Sequence, residues 1–149
     1  MHTARELSSP EELRELLAGV RRVAVLGVRS EAFADRPAHY VAAALAGFGV
    51  EVIPVPVYEP EVTTILGRPV VRSLRAVPKP IDLVDVFRRA RDLPAHLDDL
   101  VALRPRAVWL QTGLRSDAFV QAMVAAGISV VQDRCLMVEW RAHGPVRGR

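Results

Sequence analysis

Arg29, Arg36 and Arg88 follow two short apolar runs of this sequence, and a lone glycine, Gly27, closes the first of those runs. A guanidinium suits bidentate contact with phosphate, and glycine at a strand-to-helix turn lets a ligand approach the backbone closely. Pro37 marks a helix start, where unpaired N–H groups and the positive dipole end favour an anion. These features point to a phosphorylated ligand. They do not spell a dinucleotide site. G-x-G-x-x-G is absent, leaving only Gly27 with Ser30 in place of a later small residue. NAD also wants an acid at the end of the second strand, and Pro54-Val-Pro-Val57 supplies nothing acidic before Glu59.

Other reactive groups are few. His39 has no acid or nucleophile beside it in sequence, so helix capping or ligand contact is expected ahead of base catalysis. Cys135 is the single cysteine and is read as a small structural residue, with acylation or oxidation as the alternative. Arg88 is divided between phosphate contact and an ion pair with Asp85 or Asp92. Trp109 alternates within a strand and belongs to the core. Gln111 is divided between ligand contact and loop bracing. Asp133 and Arg134 are expected to pair with each other and pin the C-terminal segment.

The elements that must position these groups alternate. Ser9 caps a first helix, Pro10 sits at its first position, and Gly19 stops it. Strands are expected at 23–27, 50–55, 81–87, 107–111 and 128–132. An Ala-rich helix runs from near Pro37 to about 47–49. Two short helices split by Pro94, with Asp92 as N-cap, follow the third strand. A helix capped by Ser116 and closed by Gly127 precedes the fifth. Residues 56–80 are irregular and rich in proline, with a short strand near 69–71, and form a candidate interface for a protein partner. Apolar strands alternating with helices predict an α/β, Rossmann-like, doubly wound parallel sheet of five strands, in the order 3-2-1-4-5. Ligands of such sheets bind beyond the strand carboxyl ends, so Gly27, Val28, Arg29, Ser30, Arg36, Pro37, His39, Tyr40, Val55, Phe87, Arg88, Gln111, Thr112 and Gly113 are the candidate site residues.

With 149 residues, 50% of them hydrophobic, the chain is long enough for one domain with a core of its own. The domain is expected over residues 1–140, followed by a basic mobile tail at 141–149. That tail carries three of the 20 basic residues and none of the 17 acidic ones, leaving 17 of each in residues 1–140. The balance argues against a nucleic-acid face. No apolar run approaches the ~18 residues of a membrane span, and the first ten residues lack a signal-peptide core. A single cysteine excludes an internal disulfide framework, and the cytoplasm is the expected compartment.

The residues also carry a family resemblance. Gly27, Arg36-Pro-Ala-His-Tyr-Val41, Ile53-Pro-Val55, Leu66-Gly67, Asp82-Leu-Val-Asp-Val-Phe-Arg88, Val108-Trp-Leu-Gln-Thr-Gly113 and Val131-Gln-Asp-Arg-Cys135 resemble the stand-alone bacterial CoA-binding proteins. Their domain is similar to the N-terminal CoA-binding domain of the succinyl-CoA synthetase alpha subunit. The resemblance spans about residues 10–140. It implies that coenzyme A lies across the strand ends, with its diphosphate at 27–30 and at the helix after Pro37. Its adenosine end would lie near Val55, Phe87 and Arg88. Two positions depart from the family: Pro56 replaces an Asn, and Ala38 replaces a Ser. Each removes a polar group. The resemblance implies a module that binds CoA or an acyl-CoA without catalysis of its own. A small enzyme or nucleotide sensor acting on a phosphorylated or thioester ligand is the alternative.

Overall fold

The computed structural model describes residues 3–147. Five parallel strands form the sheet: β1 (Arg22–Leu26), β2 (Glu51–Val55), β5 (Leu83–Val86), β6 (Ala107–Leu110) and β7 (Ser129–Val131). Between them the chain forms a two-stranded hairpin, β3 (Thr64–Ile65) and β4 (Arg68–Pro69). Its two-residue loop, Leu66-Gly67, has positive φ at both positions, as the tight hairpin turn requires.

The α/β doubly wound class matches expectation, but the strand order does not. The observed order is β2-β1-β5-β6-β7. In the numbering of the five predicted strands this is 2-1-3-4-5 and not 3-2-1-4-5. The reason is legible in β2. Pro54 has no N–H to donate, and its carbonyl accepts from Val71, on the side away from β1. Such a residue suits an edge strand and not an interior one. β5 is apolar apart from Asp85 and wholly buried, and it takes the central place beside β1. The far edge, at β7, is lined by the N-terminal segment. Leu7 donates to the Val130 carbonyl at 2.8 Å, and Val130 donates to Arg5 at 3.1 Å.

Helices cover both faces. α1 (Pro10–Ala18), α2 (Pro37–Gly47) and α5 (Leu136–His143) pack on one face, over Val23, Val25, Leu83 and Trp109. α3 (Leu97–Leu103) and α4 (Asp117–Ala125) pack on the other, over Val84, Val86, Val108 and Leu110. The caps follow the chemistry of their residues. Ser9 and Glu12 form a reciprocal capping box on α1, and Ser116 accepts from the Phe119 amide to start α4. Amides of Ser8 and Ser9, together with Arg5, lower the Glu12 carboxyl to about 2. Asp92 is not an N-cap. It sits inside a 3-10 segment, Ala90–His96, and accepts from the Arg89 amide, which marks the true start.

The C-terminal stretch is more ordered than expected. α5 crosses the predicted boundary at 140, and Trp140 stacks on Phe48 with ring centres 6.0 Å apart. Arg147 lies over Trp140 and donates to the carbonyls of Ala18 and Val20. It is therefore not a solvated end, while Arg149 falls outside the described residues. Asp133 and Arg134 do not pair with each other. Asp133 takes the amide of Gly113 and the guanidinium of Arg115, and Arg134 turns to Glu139 and the Ser8 carbonyl. Asp133 lies beyond the end of β7 with left-handed backbone, φ +60°, and this turn sends the two charges to different partners. What pins this segment is Trp109, whose indole N–H donates to the Arg134 carbonyl at 2.8 Å.

Candidate functional site

A cleft of about 620 Å³ opens at the carboxyl ends of β1, β5 and β6. Gly27 forms its floor, with φ +86°. A Cβ there would stand 2.2 Å from the Phe87 carbonyl oxygen, so only glycine allows β1 and β5 to lie this close at their ends. Pro37 and Ala38, in the first turn of α2, line one wall. The N-cap of α2, Arg36, offers no side-chain acceptor to that turn. The Ala38 amide receives no side-chain cap and lies at the positive end of an eleven-residue helix.

Arg29 and Arg36 complete the cationic wall. Arg29 lies over Phe33 at 3.7 Å and faces Tyr58 at 5.2 Å, which restricts its rotamers. Its Nε donates to Glu59 at 3.1 Å. Glu59 also accepts from the Ser30 amide at 3.0 Å and the Ser30 hydroxyl at 2.6 Å. Burial would raise the Glu59 carboxyl, but these hydrogen bonds and the Arg29 charge outweigh it and hold the group below the usual range. Glu59 thereby ties the 56–62 loop to the β1–α2 turn and keeps Tyr58 on the cleft rim. On the other side of that turn, His39 Nδ1 lies 3.0 Å from the Arg29 carbonyl. A carbonyl only accepts, so Nδ1 carries the hydrogen and His39 braces the loop from behind.

Tyr40, Phe87, Gln111 and Thr112 line the rest of the cleft, as expected of strand-end residues. Gln111 also braces: its Oε1 accepts from the Leu136 amide at 3.0 Å and fixes the start of α5. Six candidates stand elsewhere. Val28 is fully buried beneath the loop, Ser30 and His39 are spent on the contacts above, and the Gly113 amide donates to Asp133. Val55 lines a neighbouring hollow of about 340 Å³, with Pro56, Val57, Leu74 and His96. Arg88 faces Asp92 at 3.7 Å and donates to His96 at 3.2 Å. Asp85 is not its partner, because that side chain points into the opposite face of the sheet. Burial and then the Arg88 charge lower the His96 imidazole.

Sequence reasoning did not place Ala38, Tyr58, Met137 or Val138 in the cleft, and it favoured a structural role for half-buried Cys135, which also lines it. Tyr58 carried a signal, as an aromatic residue exposed in a proline-rich loop. Ala38 lies between the candidates Pro37 and His39 in the first turn of α2, whereas Met137 and Val138 depend on α5 folding back over β6. A separate hollow of about 330 Å³, between the N-terminal segment and α1, reaches Arg106, Gly127 and Ser129 at the opposite ends of the strands. Among the described residues no cluster of His, Cys, Asp or Glu could hold a metal ion, and no helix is long and apolar enough to cross a membrane.

Comparison with known proteins sets this geometry in a family. A family model described as a CoA binding domain matches residues 21–141. An uncharacterized protein of Bacillus subtilis (strain 168), YneT, is 34% identical over 130 residues, which cover 87% of this chain and 93% of the relative. A solved structure from Thermus thermophilus is 42% identical with a TM-score of 0.82, covering 91% of this chain and 98% of its own. A hypothetical protein from Pyrococcus horikoshii OT3 is 25% identical with a TM-score of 0.81, covering 96% and 99%.

Proposed function

Because the chain belongs to the CoA binding domain family, we propose that it binds coenzyme A or an acyl-CoA at the strand carboxyl ends, without catalysing a reaction. The observation that carries this reading is the cleft itself: a glycine floor, an uncapped helix start and two arginines at one edge of the sheet. That donor set fits a diphosphate. The hollow beside Val55 offers the flat face of an adenine Leu26, Val57 and Leu74 to lie against, with Arg72, His96 and Asp99 at its polar edge. Arg36 is the better candidate for phosphate, since Arg29 already serves Glu59 and Arg88 already serves Asp92 and His96.

The reading without catalysis is supported by His39, which spends Nδ1 on a backbone carbonyl and lies behind the cleft wall. NAD is disfavoured by the same geometry. The acid that follows β2, Glu59, is committed to Arg29 and Ser30 and is not free for a ribose diol. A lone cysteine and a thiol ligand suit the reducing cytoplasm.

Calorimetric titration with CoA, 3′-dephospho-CoA, NAD and ATP tests the proposal. The expected result is micromolar CoA binding, at least about tenfold weaker in Arg36→Ala, as loss of a charge-assisted hydrogen bond implies. Absence of CoA binding, or stronger binding of NAD, would overturn it.

A further inference from the structure

A second cleft, of about 710 Å³, opens beside the first on the β7 side. The two share Thr112, Cys135 and Val138 as wall residues, so they are neighbouring compartments of one depression. Their linings differ in kind. Following the strand order from β2 to β7, the hollow at Val55 sets Arg72, His96 and Asp99 beside Leu26, Val57 and Leu74, and the middle cleft sets Arg29 and Arg36 among Tyr40, Tyr58, Phe87 and Met137. The last compartment is polar, with Arg115, Asp133, Arg134 and Glu139 around it. CoA carries a base at one end, the diphosphate next, and the thiol at the far end. With phosphates at α2 and the base towards β2, the thiol end is directed past Thr112 to Cys135.

We infer that the ligand is a thioester with a short, polar acyl group, and that the acyl group enters this second cleft with Arg115 as its discriminating contact. The inference rests on the CoA reading above. The side chains support it one by one. The Arg115 side chain is 58% exposed, and its partner is Asp133 at 3.5 Å. Asp133 does not depend on that contact, because the Gly113 amide holds it at 2.7 Å. Arg115 can therefore turn its remaining N–H donors to a carboxylate or hydroxyl of the acyl group. Arg134 is anchored by the Ser8 carbonyl at 3.1 Å and lies 3.7 Å from Glu139, which again leaves donors unspent. The acids are also occupied. Glu6 accepts from Gln132, and Glu139 faces both Arg134 and His143. A hydrocarbon chain in the same place would strip water from these ions and return no hydrogen bonds.

The experiment compares free CoA, glutaryl-CoA and hexanoyl-CoA, which differ in the acyl end alone, by calorimetry on the wild type and on Arg115→Met. Arg115 is exposed, so the variant is expected to fold, and an unchanged Tm checks this. The expected result is glutaryl-CoA bound at least tenfold more tightly than hexanoyl-CoA, with the preference falling to below threefold in Arg115→Met and free CoA unaffected. Hexanoyl-CoA bound as tightly as glutaryl-CoA, or a preference that survives Arg115→Met, would overturn the inference and leave CoA binding intact. Failure of all three ligands to bind the wild type would overturn the CoA reading itself, and this inference with it.

Discussion

The two faces of the sheet are built differently. Under α3 and α4 the buried layer is hydrocarbon, from Val84 and Val108 to Leu110 and Met123, and its polar exception, Gln132, sits at the rim where it accepts from the Ser116 amide. Under α1, α2 and α5 the layer includes His39, Asp85 and Gln111. The cleft stands above this second face, since Gly27, Phe87 and Gln111 continue the same side of their strands as Val25, Asp85 and Trp109. One face thus serves as foundation, and the other gives up some apolar packing to carry the site. The same sheet does both because side chains alternate along each strand.

Three substitutions would sharpen or break that contrast. Met123→Ala, on the foundation face, is expected to cost about 2–5 kcal/mol of stability, because the side chain is fully buried and leaves a cavity. Denaturant unfolding measures the loss, while CoA affinity below the transition stays within twofold. A large loss of affinity would show that the faces are coupled. Gly27→Ala, on the other face, is expected to destabilise by about 1–3 kcal/mol through backbone strain and to abolish CoA binding at the same time. Retained binding would remove Gly27 from the site.

The third concerns Asp85, which lies one pleat below the cleft floor. It is fully buried, and neither carboxylate oxygen has a hydrogen-bond partner among the described residues. Burial raises its carboxyl well above the usual aspartate range. No charged group contributes. The elements packed on this face present Leu17, Ala42, Leu136 and Trp140, and the buried His39 of α2 is bound to the Arg29 carbonyl. The folded protein therefore holds a proton that the unfolded chain releases. The stability that goes with the neutral acid is complete below about pH 4 and falls as pH rises towards the folded value, by about 1.4 kcal/mol per unit. Asp85→Asn cannot titrate, and its stability is expected to be flatter between pH 4 and 7. Equal slopes for the two proteins would show that Asp85 is ionised in the fold.

What could be read in the sequence tracks how local each cause is. Ser9, Pro10 and Gly19 bounded α1 correctly because caps act within one turn. Gly27, Arg29, Pro37 and Gln111 reached the cleft because strand ends are local features too. Strand order is not local. It depends on Pro54, whose missing donor is visible in the sequence inside the predicted second strand but is not read there as an edge marker. Glu59 was noticed as an acid too late for a ribose. Its real work, clasping Arg29 and Ser30, required a loop to fold back across 29 residues. The α5 residues Met137 and Val138 entered the cleft for a similar reason, since their place is set by Trp109 holding the Arg134 carbonyl.

The segment at residues 5–7 beside β7, with Val71 beside β2, bears on how copies of this protein behave at high concentration. Both lateral margins of the sheet already have backbone neighbours: Leu7 and Arg5 on one side, Val71 on the other. A second molecule cannot extend the sheet by pairing its own strand there without first displacing one of them. Trimming the chain to Ser9 would uncover the β7 margin and invite strand-to-strand aggregation. Residues 5–7 act as a guard on colloidal stability, joined to the sheet by a single bridge between Glu6 and Val130.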